Sequence, residues 1–99
     1  MSSMSEVVAS RKVTIVNPQG LHARPADKFV RLAHRFAASV AVIKDEQRAN
    51  GKSILDILML AAEFGSQLTI EASGGDAEEA VNALALLLES TVPMDEAVV

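Results

Sequence analysis

An open-faced α/β sandwich is the fold class this sequence predicts: a four-stranded sheet with three helices on one face, in the order β-α-β-β-α-β-α. Stretches that alternate apolar and polar residues interchange with stretches whose apolar residues recur at i, i+3, i+4 and i+7. Each helical stretch has one strongly apolar stripe, so the simplest packing lays all the helices on a single sheet face. Length supplies the other constraint. With 99 residues, 49% of them hydrophobic, the chain makes one small domain and is too short for two.

Residues 1–10 and the final "TVPMDEAVV" over 91–99 carry no sustained period and are expected as tails around a single domain at 11–90. In "RKVTIVN", Val13 and Ile15 alternate with Lys12 and Thr14 as in a half-buried strand, which Pro18 and Gly20 then interrupt. The first helix follows, with Ala26, Phe29, Val30, Ala33 and Ala37 on its buried stripe. "SVAVIKDEQRAN" reads as two strands joined near Asp45 and Glu46, the second short and at an edge. "SILDILMLAAEFG" is a second helix with Gly65 as its expected stop, and "QLTIEAS" is the last strand. After the Gly74-Gly75 turn, Asp76 and Glu79 have the spacing of a capping box. Ala80, Val81, Leu84, Leu87 and Leu88 form the stripe of the third helix.

Composition excludes several functions. A net charge of -4, with no Lys/Arg run and no Trp or Tyr, argues against nucleic acid as a partner. No apolar stretch reaches the length of a membrane span and the N-terminus does not read as a signal peptide, so a cytoplasmic protein without membrane insertion is expected. There is no cysteine, and two histidines alone do not close a zinc site, so neither a metal nor a cofactor is expected.

His22 falls where the chain passes from the Gly20 turn into the first helix, with Pro25 tolerated in the first helical turn. A helix N-terminus carries partial positive charge and outward-pointing amides, a ready anion site, to which Ala23 and Arg24 contribute their N–H groups. The same field disfavours a cationic ring, leaving a nitrogen able to attack phosphorus. Arg24 adds a planar cationic fork for phosphate oxygens, and phosphoryl transfer depends chiefly on such positioning and charge stabilisation. The competing reading makes His22 an ordinary helix starter, yet Ser, Thr, Asp and Asn are the better caps. His34, near the other end of the helix, is expected to be structural.

The second helix is too apolar for one buried face. Ile57, Leu60, Ala61 and Phe64 have the spacing of a core stripe, which leaves Ile54, Leu55 and Leu58 projecting beside the helix start as a protein-docking patch. Ser53 heads this helix and Ser-x-x-Asp across 53–56 is a capping pattern, so its plain role is an N-cap. A phosphate there would place up to about two negative charges beside the patch.

"GLHARPA" at 20–26, "NGKSIL" at 50–55 and the element order resemble the HPr family of histidine-containing phosphocarriers of the phosphoenolpyruvate-dependent phosphotransferase system, over residues 11–90. The resemblance implies an antiparallel sheet and a phosphohistidine at His22 Nδ1, charged by enzyme I and discharged to an enzyme IIA domain, with Arg24 assisting. It also implies Ser53 as a regulatory site for a dedicated serine kinase and phosphorylase, and Ile54, Leu55 and Leu58 as apolar docking contacts. A phosphoryl carrier rather than an independent enzyme is expected, working as a monomer. The contrasting reading is a regulatory binding module whose phosphorylation at His22 or Ser53 is only a signal. Two features depart from the family pattern: "KDEQ" replaces a glycine-containing turn, and residues 91–99 extend past the family's usual end, adding Asp95 and Glu96.

Overall fold

Antiparallel strands and helices follow one another in the expected order in a computed structural model that describes residues 7–90. The elements are β1 (Val8–Thr14), α1 (Ala23–Ala33), β2 (Ser39–Lys44), β3 (Gln47–Asn50), α2 (Ile54–Met59), β4 (Gln67–Ser73) and α3 (Ala77–Glu89). The sheet runs β1-β4-β2-β3, every neighbouring pair antiparallel, so the short β3 is an edge strand as its polar sequence requires.

Register sets the faces. Val13 lies opposite Leu68, and Val42 opposite both Ile70 and Ala49, so one face of the sheet is apolar across its width. Phe29 from α1, Ile57 from α2 and Leu84 from α3 join these side chains in one buried core, each contributing about 1.5–3 kcal/mol through removal from water. The opposite face is polar; there Arg48 of β3 meets Glu71 of β4 at 2.8 Å. α3 covers β1 and β4, while α1 packs between α2 and α3.

Several boundaries differ from those read in the sequence. β1 begins at Val8, so residues 8–10, expected in the N-terminal tail, pair with Ser73, Ala72 and Glu71 of β4. Ladder hydrogen bonds come from the backbone and need no apolar alternation. The C-terminal tail expected over 91–99 lies outside the described residues.

α1 stops at Ala33, and Ala37, expected on its stripe, is exposed while Ala38 is buried in its place. The helix tightens into i→i−3 bonds, Arg35 N–H to Leu32 at 2.9 Å and Phe36 N–H to Ala33 at 3.1 Å. The amides of Ala37 and Ala38 then donate to the two carboxylate oxygens of Asp76, each at 2.9 Å. Asp76 therefore stands at the head of α3 without capping it, contrary to the capping-box reading, because its carboxylate is engaged by another segment. The Ala37 amide foremost holds the Asp76 carboxyl below its ordinary range, against the opposing effect of partial desolvation.

α2 ends at Met59, well short of Gly65. Its C-cap is Leu60, and Ala61 turns the chain with a left-handed φ of 51°, the conformation that closes many helices at the residue after the cap. Lys44 Nζ donates to the Leu60 carbonyl at 3.1 Å, satisfying part of the helix end. Ile57 and Leu60 are buried as expected, but Ala61 and Phe64 are exposed and so do not belong to the core. The β2–β3 turn is the two residues Asp45-Glu46, with Asp45 at φ 54°, a left-handed geometry Asp tolerates better than most residues. Along α3, Ala80, Val81, Leu84 and Leu88 are buried as expected, and Leu87 is half-buried against the core.

Candidate functional site

The loop leading to α1 is fixed by a chain of local bonds. Asn17 accepts the Gln19 N–H on its side-chain oxygen at 2.9 Å and the Gly20 N–H on its carbonyl at 2.8 Å, folding 17–20 into a turn. Gly20 has φ +76°, and a Cβ there would stand 2.7 Å from the Ala62 carbonyl oxygen, so both conformation and space demand glycine. That close approach lets the Leu21 N–H donate to the same Ala62 oxygen at 2.9 Å. Leu21 is buried, as is Ala26 five residues on, the arrangement of a hydrophobic staple that sets the angle at which the chain enters the helix.

His22 is thereby placed at the N-cap of α1, backbone extended at φ −91° and ψ −166°, its side chain half-exposed. The imidazole does not cap the helix. A capping side chain ordinarily accepts from the second or third helical amide, and the third helical residue here is Pro25, which has no N–H. The His22 carbonyl accepts the Ala26 N–H at 3.0 Å, starting the helical ladder. The amides of Ala23 and Arg24 fall in the first turn, where the i−4 carbonyl lies outside the helix. No acidic residue occupies that turn, so the positive end of the dipole is not offset by α1 itself. Arg24, two residues after His22, is exposed, and Pro25 is buried. An imidazole at a helix N-terminus, with an arginine two residues on, is placed to take up a phosphoryl group and hold its oxygens.

His22 opens onto a shallow depression lined by Pro18, Gln19, Leu21, Ala61, Ala62, Glu63 and Phe64. The structure thus brings the end of α2 to the histidine, a proximity no local spacing in the sequence encodes. Of the expected docking trio, Leu55 is 65% exposed and Ile54 36%, whereas Leu58 is half-buried against the core and is mostly withdrawn from the patch. Sequence reasoning missed Met59, 69% exposed, and Phe64, 65% exposed. Met59 lies four residues after Leu55 and shares its face, a signal present in the spacing. Phe64 would fall on a core stripe only if α2 ran to Gly65, whereas the helix ends at Met59.

Ser53 is the N-cap of α2, as expected: its Oγ accepts the Asp56 N–H at 3.2 Å. Asp56 in turn accepts the Asn50 N–H at 3.2 Å, so the cap is tied to the end of β3. His34 is the C-cap residue of α1, its Nε2 3.2 Å from the Lys52 carbonyl oxygen, the structural role expected of it.

Residues 9–90 match the family model described as "PTS HPr component phosphorylation site". The chain is 42% identical over 78 residues to the phosphocarrier protein HPr of Neisseria meningitidis serogroup A, covering 79% of this chain and 88% of the relative. It is 39% identical over 80 residues to the phosphocarrier protein NPr of Shewanella violacea, covering 81% and 88%. A crystal structure of a phosphocarrier protein HPr from Bacillus anthracis superposes with a TM-score of 0.79 at 43% identity, covering 83% of this chain and 98% of that one. These matches define a class, the phosphoryl carriers of the phosphotransferase system, which relay a group without being enzymes by themselves. Within that class the chain belongs to the HPr family. Membership implies enzyme I and enzyme IIA proteins as its partners. Among the described residues, no helix is long and apolar enough to cross a membrane.

Proposed function

We propose that His22 is the residue that carries the phosphoryl group. The Nδ1 lone pair of His22 attacks phosphorus of the phosphohistidine on enzyme I; the new N–P bond forms as the donor N–P bond breaks, and the donor imidazole recovers its electron pair. The reverse geometry delivers the group to an enzyme IIA protein. Arg24 and the amides of Ala23 and Arg24 take the phosphoryl oxygens, an arrangement that lowers the barrier by being in place before the charge arrives. Leu55, with Ile54 and the exposed Met59 and Phe64, forms the apolar surface on which both partners dock, Leu58 supporting it from beneath. The protein works in the cytoplasm as a monomer, with no cofactor of its own.

The observation that carries this reading is an N-cap imidazole that does not cap, at a helix end whose third residue is proline. Ser53 is a second modification site in this reading. Its hydroxyl already serves α2, and a phosphate there would bring charge next to Ile54 and Leu55, weakening apolar docking. The test is incubation with enzyme I, magnesium and phosphoenolpyruvate, followed by intact mass measurement. One acid-labile phosphoryl adduct on the wild type and none on His22→Ala is the expected result. Equal labelling of both proteins, or of neither while a control carrier is labelled, overturns it.

A further inference from the structure

Leucine and alanine are strong helix formers, and Leu60-Ala61-Ala62 continues the apolar run of α2. Yet the helix ends at Met59, and Ala61 stands at φ 51°, a left-handed conformation that a β-carbon opposes. The segment is held there from outside. If α2 wound on, the carbonyls of Leu60 and Ala61 would accept the N–H groups of Phe64 and Gly65. Instead the ammonium of Lys44, half-buried at the end of β2, donates to the Leu60 carbonyl at 3.1 Å and reaches the Ala61 carbonyl at 3.5 Å. A cation is also favoured at the negative end of a helix. The Gly65 N–H goes to the Ile15 carbonyl at 2.9 Å, so helical pairing over 60–65 is diverted on the acceptor side and the donor side alike. The turn delivers Ala62, whose carbonyl lies against Gly20 and accepts the Leu21 N–H at 2.9 Å, one residue before His22.

We propose that Lys44 is a positioning residue for phosphoryl transfer: by bonding the two carbonyls at the end of α2 it stabilises the left-handed turn at Ala61, and that turn fixes how the chain enters α1. Lys44 does not touch the phosphoryl group. It acts through Ala61, Ala62 and Leu21 on the placement of the His22 ring, and a misplacement of about 1 Å at a reacting atom can cost up to about 100-fold in rate. Without the ammonium, 60–62 is drawn toward helix, the Ala62 carbonyl withdraws and Leu21 loses its acceptor. The effect on transfer rests on the phosphocarrier reading of His22; the link from Lys44 to Leu21 does not.

The test is a double-mutant cycle on the full chain, at a temperature where circular dichroism shows every variant folded. Lys44→Met keeps a long side chain and removes the donor; Ala61→Gly accepts φ 51° without a β-carbon. Lys44→Met is expected to speed hydrogen exchange of the Leu21 amide about ten-fold beyond any change at Ile70, whose central strand reports global opening. In transfer from phosphorylated enzyme I its kcat is expected to fall about ten-fold. Its KM should stay within about two-fold, since Ile54, Leu55 and Met59 precede the turn. In the Ala61→Gly background the same lysine change should lower kcat less than about three-fold, because the strain that Lys44 offsets is gone. Lys44→Arg, which keeps charge and donors, should match wild type in both measurements. Equal losses of kcat in the two backgrounds, or Leu21 exchange unchanged relative to Ile70, overturn the proposal. Absence of labelling in every protein, wild type included, with the Leu21 effect present, would refute the His22 reading and with it the role in transfer, leaving only the structural link.

Discussion

Gly20→Ala is the substitution that most directly tests how the fold presents His22. Two costs add at this position. A residue with a Cβ in the left-handed region loses about 1–2 kcal/mol, and Gly20 sits at φ +76°. The new Cβ would also stand 2.7 Å from the Ala62 carbonyl oxygen, backbone that has no flexible end to swing aside. If that carbonyl moves, the Leu21 N–H bond to it is weakened, a loss of about 0.5–1.5 kcal/mol. Together the penalty is about 1.5–3.5 kcal/mol, and at about 4–8 °C per kcal/mol for a domain of this size Tm should fall by about 6–28 °C. Thermal unfolding followed by circular dichroism reads this directly. Gly65→Ala is the control: its φ is +87° but its Cβ would meet nothing within 4 Å, so only the conformational cost, about 1–2 kcal/mol, applies. At a temperature where both variants are folded, Gly20→Ala should slow phosphoryl acceptance from enzyme I while Gly65→Ala leaves it unchanged. A Gly20→Ala protein with the Tm and transfer rate of wild type would refute the claim that the Gly20–Ala62 contact sets the site.

Ala61→Gly should stabilise the protein by about 0.8 kcal/mol, because about 1–2 kcal/mol of left-handed strain at φ 51° is relieved against about 0.4–1 kcal/mol of added unfolded-chain entropy, and a urea midpoint no higher than wild type would contradict this. Asp76 ties the segment after α1 to the head of α3, and its folded-state pKa is depressed, chiefly by the Ala37 amide. Its stabilising effect is therefore fully present above the ordinary carboxylate pKa of about 3.9 and is lost as pH falls through the lower folded value. Wild type should lose urea resistance over that acidic window, and Asp76→Asn should be weaker at neutral pH with a flatter pH profile; parallel profiles would count against the tie. Leu55→Glu, at a side chain 65% exposed, should leave Tm within about 2 °C of wild type. The same variant should raise KM for transfer from enzyme I roughly ten-fold or more, as loss of a docking anchor does; an unchanged KM removes Leu55 from the interface.

Element order and type were legible because each depends on local period. Val13, Val42 and Ile70 announce strands by alternation, Phe29, Ile57 and Leu84 announce helices by their stripes, and Ser53 announces its cap by the acid three residues on. His22 was legible for a related reason: turn, histidine, arginine and proline all lie within one short stretch, so the helix end is written in consecutive residues. What local pattern does not encode is which distant groups compete for the same atoms. Asp76 and Glu79 have the spacing of a capping box, but the Ala37 and Ala38 amides claim the Asp76 carboxylate from almost forty positions away. α2 looked longer than it is because Leu60, Ala61 and Ala62 continue its apolar run, whereas the left-handed turn at Ala61 is dictated by the path back to β4. That same turn carries Phe64 out of the expected core stripe and onto the rim of the histidine site. The exposure expected at Leu55 and Ile54 is present, Leu58 is instead half-buried against the core, and Met59 and Phe64 are exposed without having been expected so.

The position of the phosphoryl group on the protein is the most direct measurement of how His22 works. In the phosphorylated, nitrogen-15-labelled protein, the long-range proton–nitrogen spectrum should show the His22 ring substituted at Nδ1, with the backbone amides of Ala23 and Arg24 moved downfield by the new acceptor. A phosphoryl group on His34, or on His22 Nε2 with those two amides unmoved, would contradict it.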